Sequence, residues 1–338
     1  MDINIFMLIL LLGAIVGAVL GVGGAVVNWS GLVSASAPMR STDFRSVVEP
    51  ILNEVFDGVY NQRADEWRAF MRQVTGTPRA YHEEPVLYGM GSAPELPDGQ
   101  PVTYQQGGIL FVKRYIYKVY GLAYAMTRVL VEDGDHIRLG SIFSRHLAQS
   151  MVETKETLCA NIPNRAFNAS YPGGDGVSLI SASHPIVTGV LSNLLTTPAA
   201  LSQTSVEQLL IQVRQAQDNS GKRIRLTPLK LVVPPALQFQ AEVIVKSVLR
   251  AGTANNDVNA IKSMGLLRED TAVISRLTSP TAWFIKADAP EGLKLVMRRA
   301  LDKGMEGDFE TDSTRYKATE RYEPGWTDWR DLWGTAGL

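Results

Sequence analysis

The sequence predicts an α+β fold, and three observations carry that prediction. Apolar residues recur at helical spacing in two long stretches, 41–60 and 140–162. Residues 78–127 join a proline- and glycine-rich run to a β-branched and aromatic one, the composition of an extended hairpin. The second half holds short apolar runs bounded by turn residues, such as 229-LKLVV-233 and 282-AWFIKA-287, which read as buried strands.

The chain opens on INIFMLILLLGAIVGAVLGVGGAVV, residues 3–27, whose one polar side chain is Asn4. A nearly uncharged apolar run of 18 or more residues is a membrane-helix candidate. Gly13, Gly17, Gly21 and Ala25 put small residues on one face, as in close-packed membrane helices. Against this, Asp2 is the only charge before Arg40, so no basic flank or n-region is present. Ala35-Ser36-Ala37 resembles a cleavage site, but Pro38 would follow the cut. The expectation is that residues 1–38 form a hydrophobic leader outside the working fold, dispensable for it, with Met39 as the start of the native subunit.

Cap-type residues Ser41, Thr42 and Asp43 open the first helical stretch, with Phe44, Val47, Val48, Ile51, Leu52, Val55 and Phe56 on its apolar side. Pro50 should split it into two pieces. Trp67, Phe70, Met71 and Val74 suggest a further amphipathic turn or two. Pro78, Pro85, Pro94, Pro97 and Pro101 with Gly89, Gly91 and Gly99 then exclude a helix. Gly107-Gly108 marks a turn, and 109-ILFVKRYIYKVYGLAYAMT-127 returns as strand. A projecting hairpin of this size has few neighbours in its own chain and needs a partner chain to cover it. Gly140–Ile162 lacks internal Gly and Pro, with a stripe of Phe143, Leu147, Met151, Leu158 and Ile162 and an end at Pro163. Residues 168–185 are loop-like. Thr204 and Glu207 match a capping box. Pro234-Pro235 starts a helix expected to run to about Arg250, before a polar loop at 252–260. Strands are expected at 271–275, 282–287, 293–300 and 314–322. Trp326, Trp329 and Trp333 fall at i, i+3 and i+7 and are expected to be structural.

The chain has 338 residues and a net charge of −1, with 33 Lys and Arg against 34 Asp and Glu. This argues against a surface that binds nucleic acid by neutralising phosphates. The single cysteine, Cys159, excludes an intrachain disulfide and reads as a small packing residue. His82, His136, His146 and His184 stand at no metal-ligand spacing. Gly173-Gly174-Asp175-Gly176 lacks the Gly-Lys-Ser/Thr ending of a phosphate loop, and Asp133-Gly134-Asp135 is a turn. Glu83-Glu84 reads as solvated charge, and Arg298-Arg299 as a strand-edge ion-pair site. Ser181, Ser183 and His184 lack a nucleophile elbow. No catalytic, cofactor-binding or metal-binding residue is assigned, and no cofactor is expected. A body this long without a catalytic constellation points to a structural or interaction protein.

Segments in a fixed order resemble the tailed-bacteriophage major capsid proteins of the Hong Kong 97-like fold. They are 67-WRAFM-71, 102-VTYQQGG-108, 119-VYGLAYAMTRVLVED-133, 145-RHLAQSMVETKETLCANIPNRAFN-168, 175-DGVSLISASHP-185, 231-LVVPPALQFQAEVIVKS-247, 282-AWFIKADAPEGLKLVMRR-299 and 308-DFETDSTRYKATERYEPGWTDWRDLWG-334. The last is the most specific. The resemblance covers roughly residues 41–337. It implies an N-terminal arm and helix (39–77), an extended loop (78–120), a peripheral domain with a long spine helix (121–185), an axial domain (186–290) and a C-terminal return to the peripheral domain (291–338). His184-Pro185 would close the loop between the two domains.

The function so implied is a major capsid protein that self-assembles as pentamers and hexamers into the icosahedral head shell of a phage. The shell encloses double-stranded DNA without sequence-specific binding, and near-neutral charge suits a lining that need not hold the genome. The virion capsid would be assembled in the host cytoplasm, with portal, scaffold and decoration proteins as further partners and a membrane role disfavoured. Some family members crosslink subunits through Lys and Asn, but no motif places such a pair here. The alternatives are an encapsulin-like nanocompartment shell of the same fold and, resting on residues 3–27 alone, a membrane-anchored protein.

Overall fold

The structure, a computed structural model, describes residues 41–62, 65–250, 257–308, 310–311 and 313–338. The leader at 1–38 and most of the 252–260 loop lie outside the described residues. The chain divides into residues 1–46 and a larger unit of residues 47–338. Among the described residues no helix is long and apolar enough to cross a membrane.

Helix α1, Ser41–Gln62, buries Val48, Leu52 and Phe56, one residue per turn along a single face. The expected break at Pro50 does not occur, and the helix runs through it. Pro50 lies on the exposed side, so its ring faces solvent and not the packed face. A 3-10 turn at Glu66–Ala69 buries Trp67. It leads into strand β1, Arg72–Thr75, so Val74 belongs to a strand and not to a helical turn.

Strands β2, Tyr81–Tyr88, and β3, Gly108–Ile116, pair antiparallel from Tyr81↔Ile116 to Tyr88↔Gly108. Gly107-Gly108 is therefore not the turn of the hairpin. Residues 89–107 form an irregular tip, and Gly108 opens the returning strand. The hairpin is also shorter than expected, because β4, Lys118–Thr127, leaves it for another sheet. That sheet has the order β1-β10-β11-β4, with β10 Leu293–Asp308 and β11 Ser313–Trp326. Both strands run well past the expected 293–300 and 314–322. The extra length, 301-LDKGMEGD-308, is polar and glycine-bearing and carries no apolar alternation. It is held as strand by pairing with β11, which in turn pairs along its length with β4.

A short helix α2, Arg128–Glu132, and a turn at Gly134 (φ 81°) precede helix α3, His136–Asn164, which lies across β4 and β11. α3 starts a turn before the expected Gly140 and continues one residue past Pro163. Leu147 and Met151 are buried as expected, whereas Phe143 is exposed. Small residues carry much of the packed face, namely Gly140, Ser144, Ala148, Cys159 and Ala160. A Cβ on Gly140 would lie 3.2 Å from both Leu52 and Met126, so glycine lets α3 approach α1 and β4 closely. Lys155 and Glu156 are buried on the same helix. Lys155 Nζ lies 2.9 Å from Glu320 Oε2 on β11, and the Tyr60 hydroxyl of α1 contacts both groups. Removing one partner of such a pair leaves a buried charge uncompensated, which is strongly destabilising.

The second sheet has the order β12-β9-β7-β8, with β7 Pro228–Val233, β8 Ala272–Val273, β9 Trp283–Ala287 and β12 Leu332–Thr335. The final strand thus pairs with β9 and not with the first sheet. Helix α4, Gln203–Arg214, is capped by Ser202 and Ser205, each side chain bonding the other's backbone N–H. The expected Thr204/Glu207 box is not used: Glu207 accepts from Gln203 one turn back. The helix after Pro234 begins as a 3-10 turn, Pro235–Leu237. It continues as α5, Gln238–Lys246, four residues short of Arg250. A small hairpin, β5 His184–Ile186 with β6 Gly189–Leu191, and a short α6, Ala260–Ser263, complete the elements used below.

One apolar cluster runs through both sheets, from Trp67 and Cys159 to Leu231, Trp283, Phe284 and Leu332. The three C-terminal tryptophans are buried in it, yet not on a helix: Trp326 ends β11, Trp329 sits in a 3-10 turn and Trp333 lies in β12. Trp329 stacks on His184 at 4.1 Å and tilts against Trp333 at 6.2 Å. Trp329→Ala is expected to destabilise the subunit by about 3–5 kcal/mol, the usual cost of truncating a buried large aromatic. Denaturant melts of the unassembled subunit check this, and an unchanged midpoint would contradict the core role.

Candidate assembly interface

The β2–β3 hairpin is fixed at its base and bare at its tip. Glu84 on β2 points into the first sheet, where Lys294 Nζ of β10 donates to its Oε2 at 2.5 Å. Thr327 donates to the same oxygen, and His82 Nε2 lies 2.9 Å from the other. Tyr115 on β3 closes the group through its hydroxyl, 2.6 Å from Thr327 Oγ1. Lys294 is 1 % exposed and also binds Glu291. Burial alone would push the Glu84 carboxyl up, but the hydrogen bonds from Lys294, Thr327 and His82 outweigh it and hold it below the ordinary carboxylate value. Tyr115 also packs on Gly325, where a Cβ would come within 2.7 Å of its ring. Glu84 is thus not solvated charge, as its sequence neighbours suggest. Glu83 is: it pairs with Arg114 across the strands on the solvent side.

Toward the tip the body contributes two bonds, from Asn219 Nδ2 to Leu87 O and from Ser220 Oγ to Gly89 O. Beyond them Met90, Leu96 and Val102 are exposed, and Tyr104 is 95 % exposed. Leu87, Ile109, Val112 and Ile116 add exposed apolar side chains along the strands. A second bare patch lies on the other sheet's helices, where Phe239 and Val243 of α5 stand one turn apart with Val248 and Leu249 nearby. Apolar residues gathered in this way mark interaction surfaces.

The chemistry-bearing residues are placed elsewhere, in structural roles. Cys159 is buried, and burial raises its thiol far above its ordinary value, so it is no nucleophile. His184 is buried at the start of β5. Its Nδ1 lies 2.6 Å from Asp175 Oδ2 and its Nε2 3.1 Å from Asn193 Oδ1. Asn193 is oriented by donating to the Leu179 and Leu332 carbonyls at 2.8 Å. Both ring nitrogens are occupied, so neither Ser181 nor Ser183 has a base, and the histidine crosslinks three loops under Trp329. Arg298 binds the Pro78 carbonyl at the hairpin entrance, and Arg299 binds Thr319. Gly173 and Gly176 belong to a backbone turn closed by Gly173 N–H to Val177 O. Among the described residues no His, Cys, Asp and Glu cluster could hold a metal ion. His136 and His146 lie along α3 in no such group.

Residues 114–333 match the family model described as phage capsid protein. No curated protein matches the chain. Among solved structures, the bacteriophage PhiM1 mature capsid superposes with a TM-score of 0.50 at 13 % identity, covering 81 % of this chain and 87 % of that one. A virus-like particle from Pyrococcus furiosus gives 0.49 at 10 % identity, covering 85 % and 98 %. The bacteriophage JBD30 capsid gives 0.46 at 11 %, covering 93 % and 74 %.

Away from the hairpin, Glu156 of α3 gives the subunit a pH dependence of its own. Its carboxylate accepts from the Trp67 backbone N–H at 3.1 Å, with Arg276 3.9 Å away. Burial raises its pKa to about 7 despite the arginine. A carboxyl raised in the folded state makes the fold less stable as pH climbs from about 4.5 to about 7, because the unfolded chain ionises first. Glu156→Gln keeps the acceptor and removes the titration. Its melting temperature is expected to exceed that of the parent at pH 8 and to match it at pH 5. A constant offset across pH would contradict the assignment.

Proposed function

This chain belongs to the phage capsid protein family, and from that premise we propose how its parts build a shell. It is a shell-forming major capsid protein with the Hong Kong 97-like fold, a structural component of the virion made from many copies of itself. In the proposed arrangement the copies associate as pentamers and hexamers in an icosahedral head around double-stranded DNA. Assembly takes place in the host cytoplasm, and portal, scaffold and decoration proteins are the further partners. The proposed layout keeps the arm at 39–77, the extended loop at 78–120, the peripheral domain at 121–185 with α3 as its spine, the axial domain at 186–290 and the return at 291–338. In this layout the last strand, β12, reaches back to pair with β9 of the proposed axial segment.

The observation that carries this reading is the hairpin. Its base is bonded to its own sheet through Glu84 and Lys294, while residues 89–107 leave Tyr104 and their apolar side chains uncovered. An irregular segment of that composition gains burial only against another molecule. In a self-assembling shell the molecule present at the right concentration is another copy. Net charge of −1 supports a lining that encloses DNA without binding it tightly.

Deleting residues 86–106 is expected to leave a soluble subunit with the parent's far-UV circular dichroism that no longer closes shells. Electron microscopy of the purified protein reads this out. Normal closed particles from the deletion would overturn the hairpin's role.

A further inference from the structure

The tip of the hairpin is acidic. Between Arg79 and Lys113 the chain has no Lys or Arg, and the tip itself carries Glu95 and Asp98. Both are exposed, in the segment 94-PELPDG-99. At the other end of the hairpin lies a cleft of about 400 Å³ between the hairpin base, the C-terminal turns of α3 and the end of β11. Its lining has the opposite sign, with four cations against the single carboxylate of Glu323. Arg114 pairs with Glu83 and Lys118 with Glu323. Lys113 and Arg165 make no direct salt bridge among the described residues, although Asp175 and Glu323 lie near enough to favour the charged form of the half-buried Lys113. Instead Lys113 Nζ stands 5.1 Å from the Trp326 ring centre and the Arg165 guanidinium 4.3 Å from that of Tyr171. These aromatic supports hold two cations in place at the cleft wall.

A chain's own tip is not positioned to reach this cleft. Lys113 faces Glu84 in the ladder, four residues short of the Tyr88↔Gly108 end. At about 3.4 Å per residue the tip starts roughly 14 Å further out. Its root is also bonded to Asn219 and Ser220.

We propose that this basic, aromatic-walled cleft receives the acidic hairpin tip of a second copy of the chain, with Glu95 and Asp98 meeting Lys113 and Arg165. The pairing rests on the hairpin reaching a neighbouring subunit, and it adds the receptor for it. It also explains why a segment rich in proline and glycine bears acids only, while the cleft bears an excess of cations. Opposite charges steer the tip in and fix its register, and like charges there oppose docking.

Charge exchange tests the pairing. Glu95→Lys with Asp98→Lys reverses the tip, and Lys113→Glu with Arg165→Glu reverses the cleft. Each reversal alone is expected to cut the yield of closed particles about tenfold or more, and the four substitutions together are expected to restore it to within about twofold of the parent. Asp98→Cys with Arg165→Cys should in addition give disulfide-linked multimers in parent-like particles under mild oxidation. A reversed tip that assembles normally, or a fourfold variant no better than the reversed tip alone, would overturn the cleft as receptor. If the reversed tip assembles normally while the 86–106 deletion does not, the cleft assignment falls and the hairpin's role stands. If the deletion also closes shells, both fall.

Discussion

The hairpin is held by one buried lysine. Lys294 sits almost without solvent access between Glu84 of the hairpin and Glu291 of the turn before β10. A lysine in that position is stable only because both carboxylates face it, and the Glu84 carboxylate is stable only because Lys294, Thr327 and His82 donate to it. The two-stranded hairpin has no apolar face large enough to fix its own direction. A pair of packed strands alone is marginal in water. The ionic contact, with Tyr115 seated on Gly325, ties both strands to the main sheet. The direction in which the tip leaves the body follows from it.

The same device recurs across the molecule. Lys155 and Glu320 join α1, α3 and β11, and Arg276 draws Glu66 and Glu153 together from the 3-10 turn and α3. Asp331 accepts from Lys286 and from the Leu293 N–H, where Gly292 leaves room for the carboxylate. Where such pairs are buried, as Lys155–Glu320 is and Lys286–Asp331 largely is, they add little net stability against apolar packing, but a displaced element would leave a charge unpaired. The apolar cluster from Trp67 to Leu332 supplies the burial. A shell subunit is suited by this division, because its apolar surfaces are kept for neighbours while its own elements are positioned by polar contacts.

Much of the architecture was legible in local pattern. The α3 helix, the strand at 229–233 and the proline-rich hairpin segment all follow from periodicity and composition. The misreadings share a cause, which is tertiary context. Pro50 is accommodated because it faces solvent, and the polar ends of β10 and β11 are strands because each other's edges pair them. Ser202 caps α4 in place of Thr204 because the chain enters there in an extended conformation. The hairpin anchor was not legible at all. Glu84 and Lys294 are 210 residues apart, and next to Glu83 an exposed acid is the natural reading. The cleft at the hairpin base hides in the same way, since Lys113, Arg165 and Glu323 come from three separate parts of the chain.

The central claim is that each hairpin is locked to its own subunit at the base and covered by another at the tip. A cryo-electron microscopy reconstruction of assembled particles, resolved well enough to trace residues 81–116, tests it most directly. The account predicts Glu84 against Lys294 of the same chain and residues 89–107 lying on a neighbouring copy. A tip folded onto its own subunit, or a Glu84 separated from Lys294 in the closed shell, would contradict it.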